Sequence, residues 1–270
     1  MAGNKYFRNT GDTNWGTGSN WSATDGGASI GAIPGFNDTI FFTANSGDCN
    51  IAANTNSLSS LNTTGYNGTI TLAPNVNLKI GAVGIVLGSG TKLVMGANAW
   101  LNSDNGNSTA VFSITSNGVF IPYFNISAVN NMNITIVDSF NTSFISSGSF
   151  SNVTWSGVGF RTGDYLSRSM GNGVVYTFAA GSTYTVYNMF RFMFESDSAH
   201  TTVRSSVAGT RAYINVTGDA IVANTNFTDI DASGGRTIYT LNGVVTNCVN
   251  IVAYSDYIAP PNTTVSSIVI

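Results

Sequence analysis

The stretch TTVRSSVAGTRAYINVTGDAIVANTNFTDIDASGG, residues Thr201–Gly235, decides the fold. It is a series of short apolar runs with one turn signal between each run and the next, and no run has helical length or periodicity. The apolar runs are Val203, Tyr213/Ile214/Val216, Ala220/Ile221/Val222 and Phe227/Ile230, and the turn signals are Ala208-Gly209, Gly218-Asp219, Asn224–Asn226 and Gly234-Gly235. Each run is too short to bury a face alone, so successive turns of chain must stack into one core, as in a solenoid.

The same rhythm continues over most of the chain. Alternating apolar residues separated by Asn-Gly, Pro-Asn and Gly-Ser-Gly turns are typical of half-buried strands, and their spacing leaves no room for crossover helices. The sequence therefore predicts an all-β chain that forms a single-stranded, right-handed parallel β-helix. A jelly roll is the competing fold, and it would require long, paired antiparallel strands.

Charged residues are scarce in this sequence. Asp, Glu, Lys and Arg make up 9% of the 270 residues, against about 25% in an ordinary globular protein. The polar surface must instead consist largely of Asn, Ser, Thr and Gly, which favour tight turns. The 10 Lys and Arg residues are scattered along the chain, so no basic patch forms and nucleic-acid binding is not expected.

The N-terminus and the apolar runs bear on cellular location. The opening residues MAGNKYFRNTGDTNW contain no apolar segment of the kind found in signal peptides. The longest apolar run, Ile80–Leu87, is interrupted by Gly81 and Gly84 and is far below the ~18 residues of a membrane span. Cys49 and Cys248 lie many turns apart in a solenoid, which predicts free, buried thiols and folding in a reducing cytoplasm.

The first 47 residues read as an N-terminal cap with the first strands, because large aromatic residues alternate there with Gly and Asn. The rungs of the β-helix are expected over residues 48–258. Pro260-Pro261 interrupts the pattern, so residues 259–270 form a C-terminal tail strand. The three parts are expected to make one structural domain.

Two regions carry a resemblance to known proteins. The first comprises Asn20-Trp21-Ser22, Gly26-Gly27, Pro34 and Asp38–Phe42; the second comprises Arg204–Thr210, Asn215–Gly218 and Asp229–Gly235. Together these motifs resemble modules of β-helical structural and appendage proteins of bacteriophage particles and of related bacterial surface proteins. They cover somewhat under half of the chain, and they are more specific for architecture than for function.

This resemblance implies a structural protein of a virion: a head decoration, a head fibre or a tail appendage that acts by assembly and attachment. It also implies a homotrimer, contacts with other virion proteins, contact with a host-surface glycan as one option, and synthesis in the host cytoplasm. One alternative is a bacterial cell-surface adhesin or carbohydrate-binding β-helix. A further alternative is a glycan depolymerase of the tailspike type.

Two segments are candidate interfaces. In Tyr187–Glu195, YNMFRFMFE, strand alternation places Phe190, Phe192 and Phe194 towards the core. The opposite side then carries Tyr187, Met189 and Met193, which is more apolar than a solvent-facing strand requires. The apolar C-terminal residues Val265, Ile268 and Ile270 are expected to dock on the last rung or on a neighbouring subunit.

Catalysis on sugars would require two carboxylates at a defined separation. The closest pairs are Glu195/Asp197 and Asp229/Asp231, each with the i, i+2 spacing that puts two side chains on one side of a strand. Asp197 and Asp231, however, sit in sequences typical of turns, where a side-chain carboxylate bonds to its own backbone. We therefore expect no enzyme activity, no cofactor and no metal, with these four residues as weak catalytic candidates only. A Ca²⁺ site at Asp229/Asp231 would need several further oxygen ligands.

Overall fold

The computed structural model describes residues 2–103, 111–126, 131–148, 152–169, 173–194 and 200–255. These residues form strands and one short 3-10 helix, η1, at Gly18–Asn20. The strands are β1 Asn4–Phe7, β2 Trp21–Ser22, β3 Thr39–Phe41, β4 Cys49–Ile51, β5 Leu58–Asn62, β6 Thr69–Leu72, β7 Asn77–Val86, β8 Lys92–Met95, β9 Trp100–Ser103, β10 Val111–Thr115, β11 Ile121–Ile126, β12 Met132–Ile136, β13 Phe140–Gly148, β14 Val153–Gly157, β15 Phe160–Ser169, β16 Val175–Phe178, β17 Thr183–Phe194, β18 Thr201–Ser205, β19 Ala212–Val216, β20 Asp219–Ala223, β21 Thr225–Thr228, β22 Ile230–Asp231, β23 Ile238–Leu241, β24 Val245–Thr246 and β25 Ile251–Tyr254.

The strands stack into three parallel ladders. The first ladder contains β1, β3, β5, the end of β7, β10, β12, β14, β16, β18, β21 and β24. The second ladder has two separately paired parts, first β4, β6 and β8, and then the beginnings of β11, β13, β15 and β17 followed by β19 and β22. The third contains the beginning of β7, β9, the later parts of β11, β13, β15 and β17, and then β20, β23 and β25.

This arrangement is a parallel β-solenoid, as the sequence predicts. Among the named strands of the described residues, only β1 and β2 pair antiparallel, so the jelly roll alternative is excluded. The chain visits the three ladders in turn and then returns one rung higher. Strand neighbours within a ladder are therefore a full turn apart in sequence, as in the pairing of Ile134 with Trp155.

The core runs continuously along the inside of the solenoid. Alternate residues of each strand point inwards, so Trp155, Phe178, Tyr184 and Phe227 are almost fully buried. Burying a large apolar side chain stabilises the folded state by about 1.5–3 kcal/mol. Because successive inward side chains stack on those of the neighbouring rungs, most of the stability comes from contacts between turns rather than within one.

Several corners require a left-handed backbone conformation, which Gly and Asn adopt at least cost. Gly84, with φ +92°, turns β7 from the third ladder into the first. A Cβ atom there would lie 2.1 Å from the Ser113 carbonyl oxygen. Asn75 and Asn98 are left-handed at equivalent corners of adjacent turns, and the Asn98 amide donates to Asn75 Oδ1 at 3.3 Å.

The N-terminal cap is confirmed. Trp21 lies fully buried between Phe7, at a ring-centroid distance of 5.1 Å, and Trp15, at 4.6 Å. Its indole N–H donates to the Trp15 carbonyl oxygen at 2.9 Å. Phe42 continues the cluster into the first rungs, so aromatic rings close this end of the core. The predicted division at residues 47/48 and 258/259 stays a prediction, and residues 259–270 lie outside the described residues.

One sequence-based expectation about burial, that both cysteines are buried, was wrong in detail. Cys49 is fully buried and free, but the free thiol of Cys248 is only half-buried. Cys248 Sγ donates to the Thr246 carbonyl oxygen and accepts from Ile230 N–H, and partial burial raises its pKa. Tyr213 points outwards and is 40% exposed, because Ala212, Ile214 and Val216 take the inward positions of β19.

Candidate functional site

The predicted carboxylate pair Asp229/Asp231 does not lie on one side of a strand. Asp229 is the corner residue between β21 and β22, with a left-handed φ of 56°. It is buried, and its carboxylate accepts hydrogen bonds from Gly209 N–H, at 3.0 Å, and from the Asn247 side-chain amide. The i, i+2 argument fails because a corner interrupts the strand alternation on which it depends.

Asp231 has a turn-forming role of its own. Its Oδ1 accepts from Ser233 N–H at 2.8 Å, which is the Asx turn that the sequence indicates. Hydrogen bonds and nearby Arg211 lower the pKa of Asp229. For Asp231, desolvation by burial raises the pKa, but hydrogen bonds from Ser233 and the charge of Arg211 outweigh it, so the pKa is lowered. A general acid requires the opposite shift, so the lowered pKa values do not suit that role, and the hydrogen bonds that both carboxylates accept are structural bonds of a corner and a turn. Glu195 and Asp197 lie outside the described residues.

The predicted apolar patch on β17 is divided by a corner. Phe190 and Phe192 are buried, as predicted. The strand bends between Val186, which pairs with β19, and Met189, which pairs with β20. Tyr187 is therefore at the bend, 47% exposed, whereas half-buried Met189 faces outwards on the third ladder. The described part of the structure includes neither the side chains of Met193 and Phe194 nor the C-terminal candidates Val265, Ile268 and Ile270.

Asp164 is a carboxyl group that sequence reasoning missed. Its register neighbours on the third ladder are Phe144 and Met189. Desolvation by burial raises the pKa of Asp164, and a backbone hydrogen bond from Met189 partly offsets this rise. What sets Asp164 apart is its position between two apolar residues on adjacent turns. The sequence does not reveal this position, because it depends on the register between strands.

A cluster of aromatic residues lies on the outward side of the third ladder, near the N-terminal end. The Trp100 ring is 5.5 Å from the Tyr123 ring and 5.4 Å from the Phe144 ring, both in edge contact. All three side chains are half-buried. Asn102 follows on the same outward row, and its buried Oδ1 has no hydrogen-bond partner among the described residues.

A groove with a volume of about 530 Å³ lies on the outward side of the second ladder. It crosses three adjacent turns, because Asn141, Arg161 and Thr185 are register neighbours on β13, β15 and β17. The residues that line it are Asp138, Ser139, Phe140, Asn141, Val158, Gly159, Phe160, Arg161, Thr183 and Thr185. Gly159, which precedes β15, is buried in the wall of the groove, where its backbone passes close to Thr183 on the next turn.

The charged and polar side chains of this groove differ in whether they already have a hydrogen-bond or ion-pair partner. Asp138 accepts from the backbone N–H groups of Ser116 and Asn117, so both of its oxygens are occupied. Among the described residues, the side chains of Asn141, Arg161, Thr183 and Thr185 have no hydrogen-bond or ion-pair partner, and Arg161 is exposed. The groove therefore presents one free cation beside unused amide and hydroxyl groups.

No group of three or more His, Cys, Asp or Glu side chains capable of holding a metal ion occurs in the described part of the chain. Within those residues there is also no helix long and apolar enough to cross a membrane.

The comparisons with known proteins give no relative: the chain matches no protein-family model, no curated protein and no solved structure.

Proposed function

We propose that the protein is a structural component of a virus particle, most specifically a head decoration, head fibre or tail appendage of a bacteriophage. In this role it acts by assembly and attachment. It forms a homotrimer that binds to other proteins of the particle.

One observation carries this proposal: in the described part of the chain, carboxylates such as Asp229 and Asp138 tie successive turns together. Asp229 joins Gly209 to Asn247 across neighbouring turns, and Asp138 holds the corner at Ser116 and Asn117. Hydrogen-bonded corners of this kind fix the spacing of the rungs and leave few backbone groups unpaired. Local opening, which exposes a chain to proteases, is then rare. A stiff, charge-poor rod suits a load-bearing or attachment role.

The outer surface supports assembly. Val137 and Val207 follow the same corner, between the first and second ladders, and are 54% and 52% exposed. Large apolar side chains repeated along one edge are common at interfaces between subunits. Symmetric copies of the chain could bury such an edge in a closed ring.

The bacterial surface adhesin and the glycan depolymerase are the competing functions. The depolymerase requires a carboxylate pair in acid and base roles, and Asp229 and Asp231 are both committed to corner and turn hydrogen bonds. The adhesin makes the same use of a stiff solenoid, but on a cell envelope.

Quantitative mass spectrometry of purified particles tests the proposal by measuring the copy number of this chain relative to the major capsid protein. A near-stoichiometric ratio supports a head decoration or head fibre, and a few copies per particle support a tail appendage. If particles lack the chain while the envelope fraction of the cells contains it, the virion role is wrong and the adhesin stands.

A further inference from the structure

We infer that the groove on the second ladder is a binding site for an acidic saccharide, in which Arg161 pairs with the carboxylate of a uronic acid. This inference goes beyond the proposed function and does not depend on it, because a particle component and an envelope protein could each carry such a site.

The charge of the groove selects an anion. Arg161 projects from the middle of the three turns that form the floor, between Asn141 and Thr185. The one acidic side chain among the lining residues, Asp138, is already engaged by two backbone N–H groups. An unpaired guanidinium presents a planar fork of donors that matches a single carboxylate. Phosphate-rich ligands, by contrast, are recognised by clusters of Arg residues.

The remaining side chains favour a ligand rich in hydroxyl groups. Thr183 and Thr185 provide hydroxyls, and Asn141 provides an amide; each of these groups can both donate and accept. None of the three has a partner among the described residues. Thr183 and Thr185 lie on one turn and Asn141 two turns earlier, with Arg161 on the turn between them. Adjacent turns are about 4.8 Å apart, so a linear saccharide laid along the solenoid axis meets a polar group at each of the three rungs.

The walls of the groove suit the apolar C–H faces of sugar rings. Val158, which is 56% exposed, lines one side. Tyr213, 40% exposed, is the register neighbour of Thr183 on the next turn and continues the surface along the axis. Gly159 lets adjacent turns approach closely in this wall, because a Cβ atom there would lie 2.1 Å from the Thr183 carbonyl oxygen.

A peptide ligand is disfavoured by the floor of the groove. Extended peptides bind by adding a strand to a free sheet edge. Here β15 is paired on one side with β13 and on the other with β17, so it offers no edge. Recognition must therefore use side chains, as it does for a saccharide.

The test uses the full chain and an array on which each uronic-acid oligosaccharide is printed beside its carboxyl-reduced, neutral counterpart. Calorimetry then measures the dissociation constant for the pair retained most strongly. We expect the carboxylated member to bind at least about tenfold more tightly than its neutral counterpart. The loss of a charge-assisted hydrogen bond in Arg161→Gln should weaken binding by about tenfold or more.

Two further variants make the result specific. Lys92→Gln removes a cation from an exposed position of β8 on the same ladder, outside the groove, and should leave affinity unchanged. Thr185→Val removes a groove hydroxyl while keeping the shape of the side chain, and should weaken binding several-fold. Circular dichroism and thermal melting of each variant confirm that the fold is retained.

Three results would each overturn the inference: equal affinity of Arg161→Gln and wild type, equal binding of the carboxylated and neutral members, or retention of no carboxylated saccharide by the wild type. None of them bears on the copy number of the chain in particles, so failure of this inference is distinguishable from failure of the proposed function.

Discussion

The side-chain amide of Asn247 donates a hydrogen bond to the carboxylate of Asp229 one turn earlier, and both residues have left-handed backbones, with φ of 51° and 56°. Arg211 encloses this contact by donating from Nε to the Asn247 carbonyl oxygen at 3.1 Å and from Nη2 to Asn247 Oδ1 at 3.2 Å. The corner is therefore a hydrogen-bonded network between turns, and its only acid is a structural acceptor.

Replacing Asp229 by Asn should destabilise the protein at neutral pH and reduce its sensitivity to acid. Because hydrogen bonds lower the pKa of Asp229 in the folded state below its ordinary value, its stabilising contribution is present above the unfolded pKa and is lost as the pH falls through the folded pKa. Urea unfolding between pH 7 and pH 2 measures this. A variant as stable as wild type at pH 7 would contradict the assigned role.

Replacing Asp164 by Asn should have the opposite effect. Burial raises the pKa of Asp164 in the folded state, so its contribution is greatest below the unfolded pKa and is lost as the pH rises through the folded pKa. The neutral amide avoids the cost of ionising a partly buried group. We expect Asp164→Asn to be at least as stable as wild type at pH 7 in the same urea series, and a clear loss of stability there would refute this.

Gly159 and Gly181 form a matched pair for testing close approach between turns. Both have positive φ, +88° and +77°. A Cβ atom at Gly159 would meet the Thr183 carbonyl oxygen at 2.1 Å, whereas one at Gly181 has nothing within 4 Å. We expect Gly181→Ala to cost about 1–2 kcal/mol from backbone strain alone. Gly159→Ala should cost about 1–3 kcal/mol more from overpacking; equal unfolding free energies would show that the turns can separate at this position.

The aromatic cap should contribute strongly to stability. Trp21 is fully buried in contact with Phe7 and Trp15, so Trp21→Ala should lower the unfolding free energy by about 3–5 kcal/mol. Phe36, which is 67% exposed, is the control, and Phe36→Ala should change it by no more than about 0.5 kcal/mol. Chemical denaturation measures both; comparable effects would mean that the cluster does not seal the end of the core.

The oligomer interface predicted on β17 can be tested by charge. Met189 faces outwards on the third ladder and is half-buried, so Met189→Asp combined with Met193→Asp should dissociate the predicted trimer without unfolding the protomer. Multi-angle light scattering gives the mass and circular dichroism checks the fold. Thr183→Asp, on the second ladder, is a control for added charge; an unchanged mass for the double variant would exclude this contact.

The sequence was sufficient to predict the solenoid because its signal is local and repeated. Short apolar runs such as Ala212–Val216 alternate with residues that tolerate left-handed conformations, and Gly209, Asn224 and Asp229 hold such conformations in the structure. The same signal identified the aromatic cap, because large apolar rings near one end must cover an exposed core. The resemblance to phage-particle proteins stays a prediction, and so does the trimer.

Only the tertiary structure decided which residues of different turns lie side by side. Asn141, Arg161 and Thr185 are neighbours because the register aligns three strands, and that register depends on corner lengths that vary from turn to turn. The division of the β17 patch and the corner position of Asp229 arise in the same way, since one bend changes the side to which every later residue points. Local sequence thus determined that strands and corners form, whereas the stacking of distant turns determined the groove and the partners of each polar side chain.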